Sequence, residues 1–340
     1  MRISHCVRLS LLAAGSLVAA ANGAAALDTG SPAVAGFIDR MVARDSYDPG
    51  SLRRILGAAQ LQPSIVAAMQ RPAEKALPWY RYRPIFVNEQ RIQEGVDFWT
   101  AHRRSLARAS ERTGVAPQYL VAILGVETYY GRLTGGYRVL DALATLSFDF
   151  PPRARFFREQ LEQFLLLARD RDFDPLTVRG SYAGAMGAPQ FMPSTYRRYG
   201  LDATVNGRID LWTDWPDVFA SVGYFLREHG WVAGRAVLRD ASVRTGAAPE
   251  PPPAVLGPPT TLAALRAAGV RVSDAPDAAG RVWLIGAEQP AGVEWRVGFG
   301  NFYAITRYNH SPLYAMAVHD LAVALRRRIG AGGASPEPGR

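Results

Sequence analysis

Apolar residues recur at helical spacing through most of the chain, from about residue 31 to residue 230. Around Phe98, Trp99 and Leu106 they alternate with charged positions in a helical rhythm that ends at Gly114. Phe156, Phe157, Leu161, Phe164 and Leu165 repeat that rhythm more strongly. Near the C-terminus Ser311 is placed to cap, and Pro312 to open, a helix carrying Leu313, Met316, Ala317, Leu321 and Leu325 on one face. Its expected end is the basic run 326–328 followed by Gly330. Between about residues 232 and 300 the texture changes to short β-prone runs, at 270–272 and 282–285, broken by prolines at 251–253, 258 and 259. This predicts a small strand-rich domain inserted before the last helix. The Gly- and Pro-rich tail from residue 331 predicts disorder.

An apolar share of 48% over 340 residues excludes a disordered or collagen-like chain. The length exceeds the roughly 250 to 300 residues that one core sustains, so a large domain with a smaller companion is expected. Arg2 and Arg8 precede an apolar run at 9–21, and the small residues Ala24, Ala25 and Ala26 follow, which is the plan of a secretory signal peptide spanning 1–26. Cleavage near Ala26 removes Cys6, the only cysteine, so the mature chain is expected to hold neither a disulfide nor a thiolate metal site. Cys6 precedes the apolar run, whereas a lipidated cysteine would follow it, so an exported protein without a lipoprotein anchor is expected in the periplasm. Without the leader 37 basic residues still face 30 acidic ones. A solvated basic surface or a polyanionic partner both account for that excess, and outside the cytoplasm such a partner is cell-wall polymer or membrane rather than nucleic acid.

Residues 118–130 form an almost wholly apolar helix interrupted by one carboxylate, Glu127. Desolvation and the negative end of the helix dipole both favour its protonated form, which is the state a general acid requires. The alternative is a structural Glu satisfied by an arginine or by backbone donors. Some fifty residues on, the segment 180–194 is nearly free of charge, rich in Gly and Ala, and carries an isolated amide, Gln190. It lacks the spacing of a phosphate cradle. Small residues let a backbone approach a bulky neutral ligand, with Ser181 and Gln190 supplying hydrogen bonds; a tight glycine-rich turn with no ligand is the other reading. Asp202, Thr204, Asn206 and Gly207, followed by Arg208, have the spacing of a calcium loop, but with Thr213 where a bidentate glutamate belongs. Asp210, Asp214 or Asp217 are possible substitutes, and weak or no binding is expected.

Glu127-Thr-Tyr-Tyr-Gly131, the segment 180–194, the run 138–146 with Pro151-Pro152-Arg153, and the late run 301–311 together resemble the membrane-bound lytic murein transglycosylase B family. The resemblance covers about residues 35 to 328. It implies a mainly α-helical protein with a lysozyme-like catalytic core at 116–231, a helical segment at 27–115, a small β-containing domain at 232–300, and a groove motif with its helix at 301–329. The implied substrate is the glycan strand of peptidoglycan, cut at the β-1,4 bond between N-acetylmuramic acid and N-acetylglucosamine without water, leaving a 1,6-anhydromuramoyl end. Glu127 falls on the family's single catalytic glutamate. By the same resemblance Ser181 and Gln190 hold the sugar beside it, and Tyr82, Arg153, Phe191, Tyr303, Tyr308 and Asn309 line a groove. Some members carry a calcium loop at the position of Asp202 to Asp217, but no cofactor is required. Tyr224-Phe225 departs from the family's Asn-Tyr. A monomer, contacts with other cell-wall enzymes and, given the leader, no nucleic-acid partner are also expected. Ordinary glycosidases need two carboxylates, and Asp141 and Asp149 are expected to be structural. A muramidase that hydrolyses the same bond, or a wall-binding protein without turnover, remain the alternatives.

Overall fold

The computed structural model describes residues 24–70, 77–171, 173–244, 256–274 and 280–332. Most of the expected leader, and the tail from residue 333, lie outside them. In chain order the first half holds β1 (Ala25–Ala26), α1 (Pro32–Asp45), α2 (Pro49–Gly57), β2 (Gln60–Leu61), α3 (Pro63–Gln70), α4 (Trp79–Phe86), α5 (Glu89–Ala101), α6 (Arg103–Thr113), α7 (Pro117–Thr128), β3 (Tyr137–Arg138), α8 (Val139–Phe148) and α9 (Ala154–Asp170). There follow β4 (Arg179–Gly180), α10 (Pro193–Tyr199), α11 (Trp215–Glu228), β5 (Leu238–Val243), α12 (Leu262–Ala267), β6 (Val270–Val272), β7 (Trp283–Gln289), β8 (Gly292–Gly298), α13 (Gly300–Ile305) and α14 (Pro312–Gly332). The mainly helical class expected from the sequence is what the chain adopts.

The chain divides into two compact units. One comprises residues 74–130 and 218 onward, the other the stretch up to residue 73 together with 131–217, so the segment 116–231 contributes to both.

The unit containing 74–130 is built on α7, whose Leu120, Val121, Ala122, Ile123 and Leu124 are wholly buried. Helix α14 packs on α7, α5 and α4, inserting Tyr314, Met316, Val318, Leu321 and Leu325. It runs through Gly332, two residues past the glycine expected to stop it. The rhythm around Phe98 and Leu106 is divided at His102 (φ −110°, ψ 16°), which closes α5 through its amide and opens α6. Strands β6-β5-β8-β7 form an antiparallel sheet with Leu238 opposite Gly298 and Trp283 opposite Gly298 on its other side. This is the predicted strand-rich insertion, with the short helix α12 closing a core of Leu262, Leu265, Val270, Val282, Val297 and Phe299. Asp320 of α14 accepts from Arg83 Nε of α4 at 2.7 Å and from Arg296 Nη1 of β8 at 2.8 Å, fastening sheet and helices.

In the other unit α8 packs on α9, and α10 on α9. Asp141 is spent structurally, as its sequence context suggested: it takes a bidentate pair from Arg138 (2.8 and 2.7 Å) and the Gln60 amide at 2.9 Å. Ala25 and Ala26, assigned from the sequence to the end of the leader, instead pair antiparallel with Leu61 and Gln60, and the Leu27 amide continues the ladder to Ala59 O at 3.0 Å. That ladder makes them part of the fold.

Candidate active site

Glu127 lies one residue from the end of α7, half-buried where its neighbours are sealed. The helix stops because Tyr129 and Tyr130 both turn left-handed, at φ 52° and 60°. Non-glycine residues hold that conformation only when their surroundings dictate it. Here the Tyr130 amide donates to Leu124 O at 3.0 Å and its hydroxyl to Arg91 O at 2.7 Å. Its ring lies where side chains of Gly95 and Gly125 would otherwise stand; a Cβ on Gly125 would meet Tyr130 Cε1 at 2.7 Å. Arg91 stacks 4.2 Å from the Tyr129 ring centre and donates to the Gly125 carbonyl. The glycine two residues before Glu127 therefore serves the turn that fixes where the carboxylate emerges.

Tyr314, fully buried on α14, donates its hydroxyl to Glu127 Oε1 at 2.7 Å. Tyr308 stacks on it at 6.5 Å and meets Phe225 edge-on at 4.9 Å. Burial first, and the Glu127 carboxylate second, push both phenols well above their ordinary range, so both stay protonated donors. Tyr314 is the partner of Glu127 that the sequence reading missed. It stands in an ordinary apolar helix, 187 positions from its partner, and only its hydroxyl distinguishes it. Asn309, buried beside Tyr308 in sequence, accepts the Ser311 amide at 3.1 Å, while its Nδ2 is buried without an acceptor.

Two expected groove residues prove to be core residues. Tyr82 is wholly buried between Trp79 and Phe86, and Phe191 is 2% exposed, so neither offers a ring face to a sugar. Tyr303 is exposed, but it stacks on Trp283 of the sheet, 5.0 Å away and nearly parallel.

The other unit carries Ser181, Gln190 and Arg153. Residues 180–191 fold back on themselves through isolated bridges that pair Met186 with Gly180 and with Phe191. Ser181 Oγ accepts the amides of Ala183 (3.3 Å) and Ala185 (3.0 Å), which leaves its own proton to donate. Gln190, at φ 51°, spends its amide nitrogen on Thr134 O (3.0 Å) and Gly187 O (2.9 Å) and keeps its Oε1 as an acceptor. One donor and one acceptor in a segment of small residues match the acetamido and hydroxyl groups of an amino sugar. Gly187 is held at φ 68° with a Leu211 carbonyl where a Cβ would go. Arg153 lies over the rings of Phe156 (4.6 Å) and Phe157 (5.1 Å).

The calcium-like loop is closed by its own amides. Asp202 accepts from Asn206 N at 3.1 Å and Gly207 N at 2.8 Å, Asn206 Oδ1 accepts from Arg208 N at 2.8 Å, and Thr204 Oγ1 lies 3.4 Å from both Asp202 and Asp214. Asp217, a suggested substitute ligand, is fully buried and clamps Ala203 N (2.7 Å) and Asp210 N (3.0 Å). Burial raises its carboxyl, against the pull of those two amides. It clamps the loop through both of its oxygens. Among the described residues no group of three or more His, Cys, Asp or Glu side chains is placed to hold a metal ion.

Comparison with known proteins bears on this geometry. The transglycosylase SLT domain family matches residues 29–323. The chain is 42% identical over 308 residues to a protein of Escherichia coli K12 named membrane-bound lytic murein transglycosylase B, covering 87% of this chain and 84% of the relative. The crystal structure of the soluble lytic transglycosylase SltB1 from Pseudomonas aeruginosa superposes with a TM-score of 0.83 at 44% identity, over 88% of this chain and 100% of that one. SltB3 of the same organism, in complex with NAG-NAM-pentapeptide, gives 0.76 at 28% identity, over 86% and 78%.

Proposed function

Because the chain belongs to the transglycosylase SLT domain family, we propose that it is a lytic transglycosylase of peptidoglycan whose single acid-base group is Glu127. It cleaves the β-1,4 bond between N-acetylmuramic acid and N-acetylglucosamine. The carrying observation is the 2.7 Å hydrogen bond from Tyr314 to a carboxyl at the end of a buried helix.

Glu127 gives its proton to the glycosidic oxygen as the C1–O bond breaks, releasing the N-acetylglucosamine hydroxyl. The 2-acetamido carbonyl of the muramic sugar shares the positive charge left on C1. The Glu127 carboxylate then takes the C6 hydroxyl proton as O6 bonds to C1, which closes the 1,6-anhydro ring and restores the acid. One carboxyl suffices because the substrate supplies both the stabiliser and the nucleophile. The attack is intramolecular, and well-aligned cases of that kind gain roughly 7 to 11 kcal/mol. Tyr314 remains protonated and steadies Glu127 when it carries charge, as a donor to a carboxylate does. Tyr308 and Asn309 of the run 301–311 contact the sugar, as do Arg153, Ser181 and Gln190, the last two through their spare donor and acceptor. The reaction needs no cofactor.

The leader-like pattern supports export to the periplasm. No helix among the described residues is long and apolar enough to cross a membrane. The curated relative is named membrane-bound, so the expectation of an unanchored chain gains nothing from it.

Digestion of purified sacculi in ¹⁸O-water, read by mass spectrometry, tests the reaction. Unlabelled anhydro ends are expected, whereas reducing ends carrying ¹⁸O would make the protein a muramidase. Glu127→Gln should lower turnover by about 10³-fold or more, within the range for removal of a general acid, while binding to sacculi and melting temperature stay near wild type. Retained turnover would remove Glu127 from its role.

A further inference from the structure

The sheet, α13 and the loop before β5 line an open-mouthed cavity of about 700 Å³ that the reaction described above does not use. One wall is an aromatic platform: Trp283 and Tyr303 stack with their planes 8° apart. The Arg307 guanidinium lies 4.2 Å from the Tyr303 ring centre, and its Nε is buried with no acceptor. Arg235 and Arg281 line the same cavity, and among the described residues no acidic one does. None of these three arginines forms an ion pair among the described residues. The Asn301 side chain pins the loop that carries Arg235, accepting from Val232 N at 2.8 Å and donating to the carbonyls of Val232 (2.8 Å) and Arg235 (3.0 Å). Like charges are thus gathered beside a loop pinned by Asn301, with a guanidinium partly stripped of water and no anion among the described residues to meet it.

A ligand suited to this site carries more than one carboxylate, for the forked arginine donors, and an aliphatic portion, for the platform. A neutral glycan would use the rings but not three cations. A bilayer is flat, whereas a concave site of this size accommodates a short peptide. We propose that it binds the acidic stem peptide of peptidoglycan, with carboxylates on Arg235, Arg281 and Arg307 and the peptide's aliphatic portion against Trp283 and Tyr303. The proposal rests on peptidoglycan being the substrate, and it adds a peptide contact separate from Glu127.

The test uses the full chain carrying Glu127→Gln, so that binding is read without turnover. The probes are soluble peptide-bearing glycan chains and the same chains stripped of peptide by an amidase. Peptide-bearing chains should bind about tenfold tighter, with the advantage shrinking as salt rises. Adding Arg235→Gln and Arg281→Gln, both at exposed positions, should abolish the advantage while binding to stripped chains persists, which also shows that the variant folds. Arg307 stays in place because it holds Tyr303. Equal affinity for the two probes, or an advantage that survives both substitutions, overturns the proposal. A variant that instead loses binding to vesicles containing phosphatidylglycerol would also overturn it, and would assign the cavity to a membrane surface. Failure of the function itself appears elsewhere, as a chain with Glu127 intact that releases no anhydro product from either probe.

Discussion

The end of α7 and the 180–191 hairpin each present polar atoms suited to a sugar, by opposite means. At α7 the backbone is ordinary helix, and chemistry comes from side-chain packing: a carboxyl among wholly buried neighbours, with a phenol from α14 hydrogen-bonded to it. In the hairpin the side chains are small and the backbone is unusual, with positive φ at Gly184, Gly187 and Gln190, and the polar side chains spend half their capacity on their own loop. An acid is tuned by what surrounds it, whereas a sugar contact must be placed by what it hangs from. The two regions should therefore fail differently.

The largest failure is expected at Gly125→Val. The added methyls would enter the Tyr130 ring and so disturb the left-handed turn beyond Glu127. Overpacking of this kind costs up to about 3 kcal/mol, and stability to denaturant should fall together with turnover. Wild-type stability in that variant would break the claim that packing sets the acid.

Next comes a difference in acid sensitivity. His319 of α14 is buried and hydrogen-bonded to Tyr119 of α7 at 2.8 Å, and desolvation holds its imidazole at about 4 against an ordinary 6.5. The unfolded chain takes up this proton below pH 6.5 while the folded chain refuses it until about pH 4. Stability is therefore whole above 6.5 and lost progressively down to about 4, by up to about 3 kcal/mol. Unfolding midpoints from pH 7 to 4 should show that slope, and His319→Gln should flatten it. The hairpin holds no group that titrates in this window. Its own weakness is Gly187→Ala: a Cβ there meets the Leu211 carbonyl at a φ of 68°, which backbone cannot easily yield. About 2 kcal/mol is expected from strain at such a φ, with KM for glycan rising as Gln190 loses its anchor while kcat holds.

The same contrast explains what the sequence disclosed. Burial writes itself as an uninterrupted apolar run, so Glu127 stood out, and a backbone bent at positive φ writes itself as glycines, so the hairpin stood out as well. Large aromatic rings carry no such mark. Tyr82 and Phe191 looked like sugar platforms, yet they lie in the core, because a ring that suits a sugar suits a core equally. Asp202, Thr204 and Asn206 follow a ligand spacing, but nothing in that spacing shows that Asp217 satisfies two amides, a role set by how the loop closes. The strand-rich insertion was legible from its β-prone runs, while the helix break at His102 was not, since apolar spacing continues across it.

Tyr314 separates placement from packing most finely, because its phenyl ring belongs to the core and only its hydroxyl to the chemistry. Tyr314→Phe keeps the ring and removes the donor to Glu127. Stability should change by no more than about 1 kcal/mol, the net worth of one hydrogen bond. The expected effect on kcat is about tenfold, equal to about 1.4 kcal/mol of barrier, with KM nearly unchanged. The ionised carboxylate loses its phenol donor in this variant, so the high-pH limb of the kcat profile, where the acid must still hold its proton, should move upward. A purely structural tyrosine would lower the melting temperature and leave that limb in place.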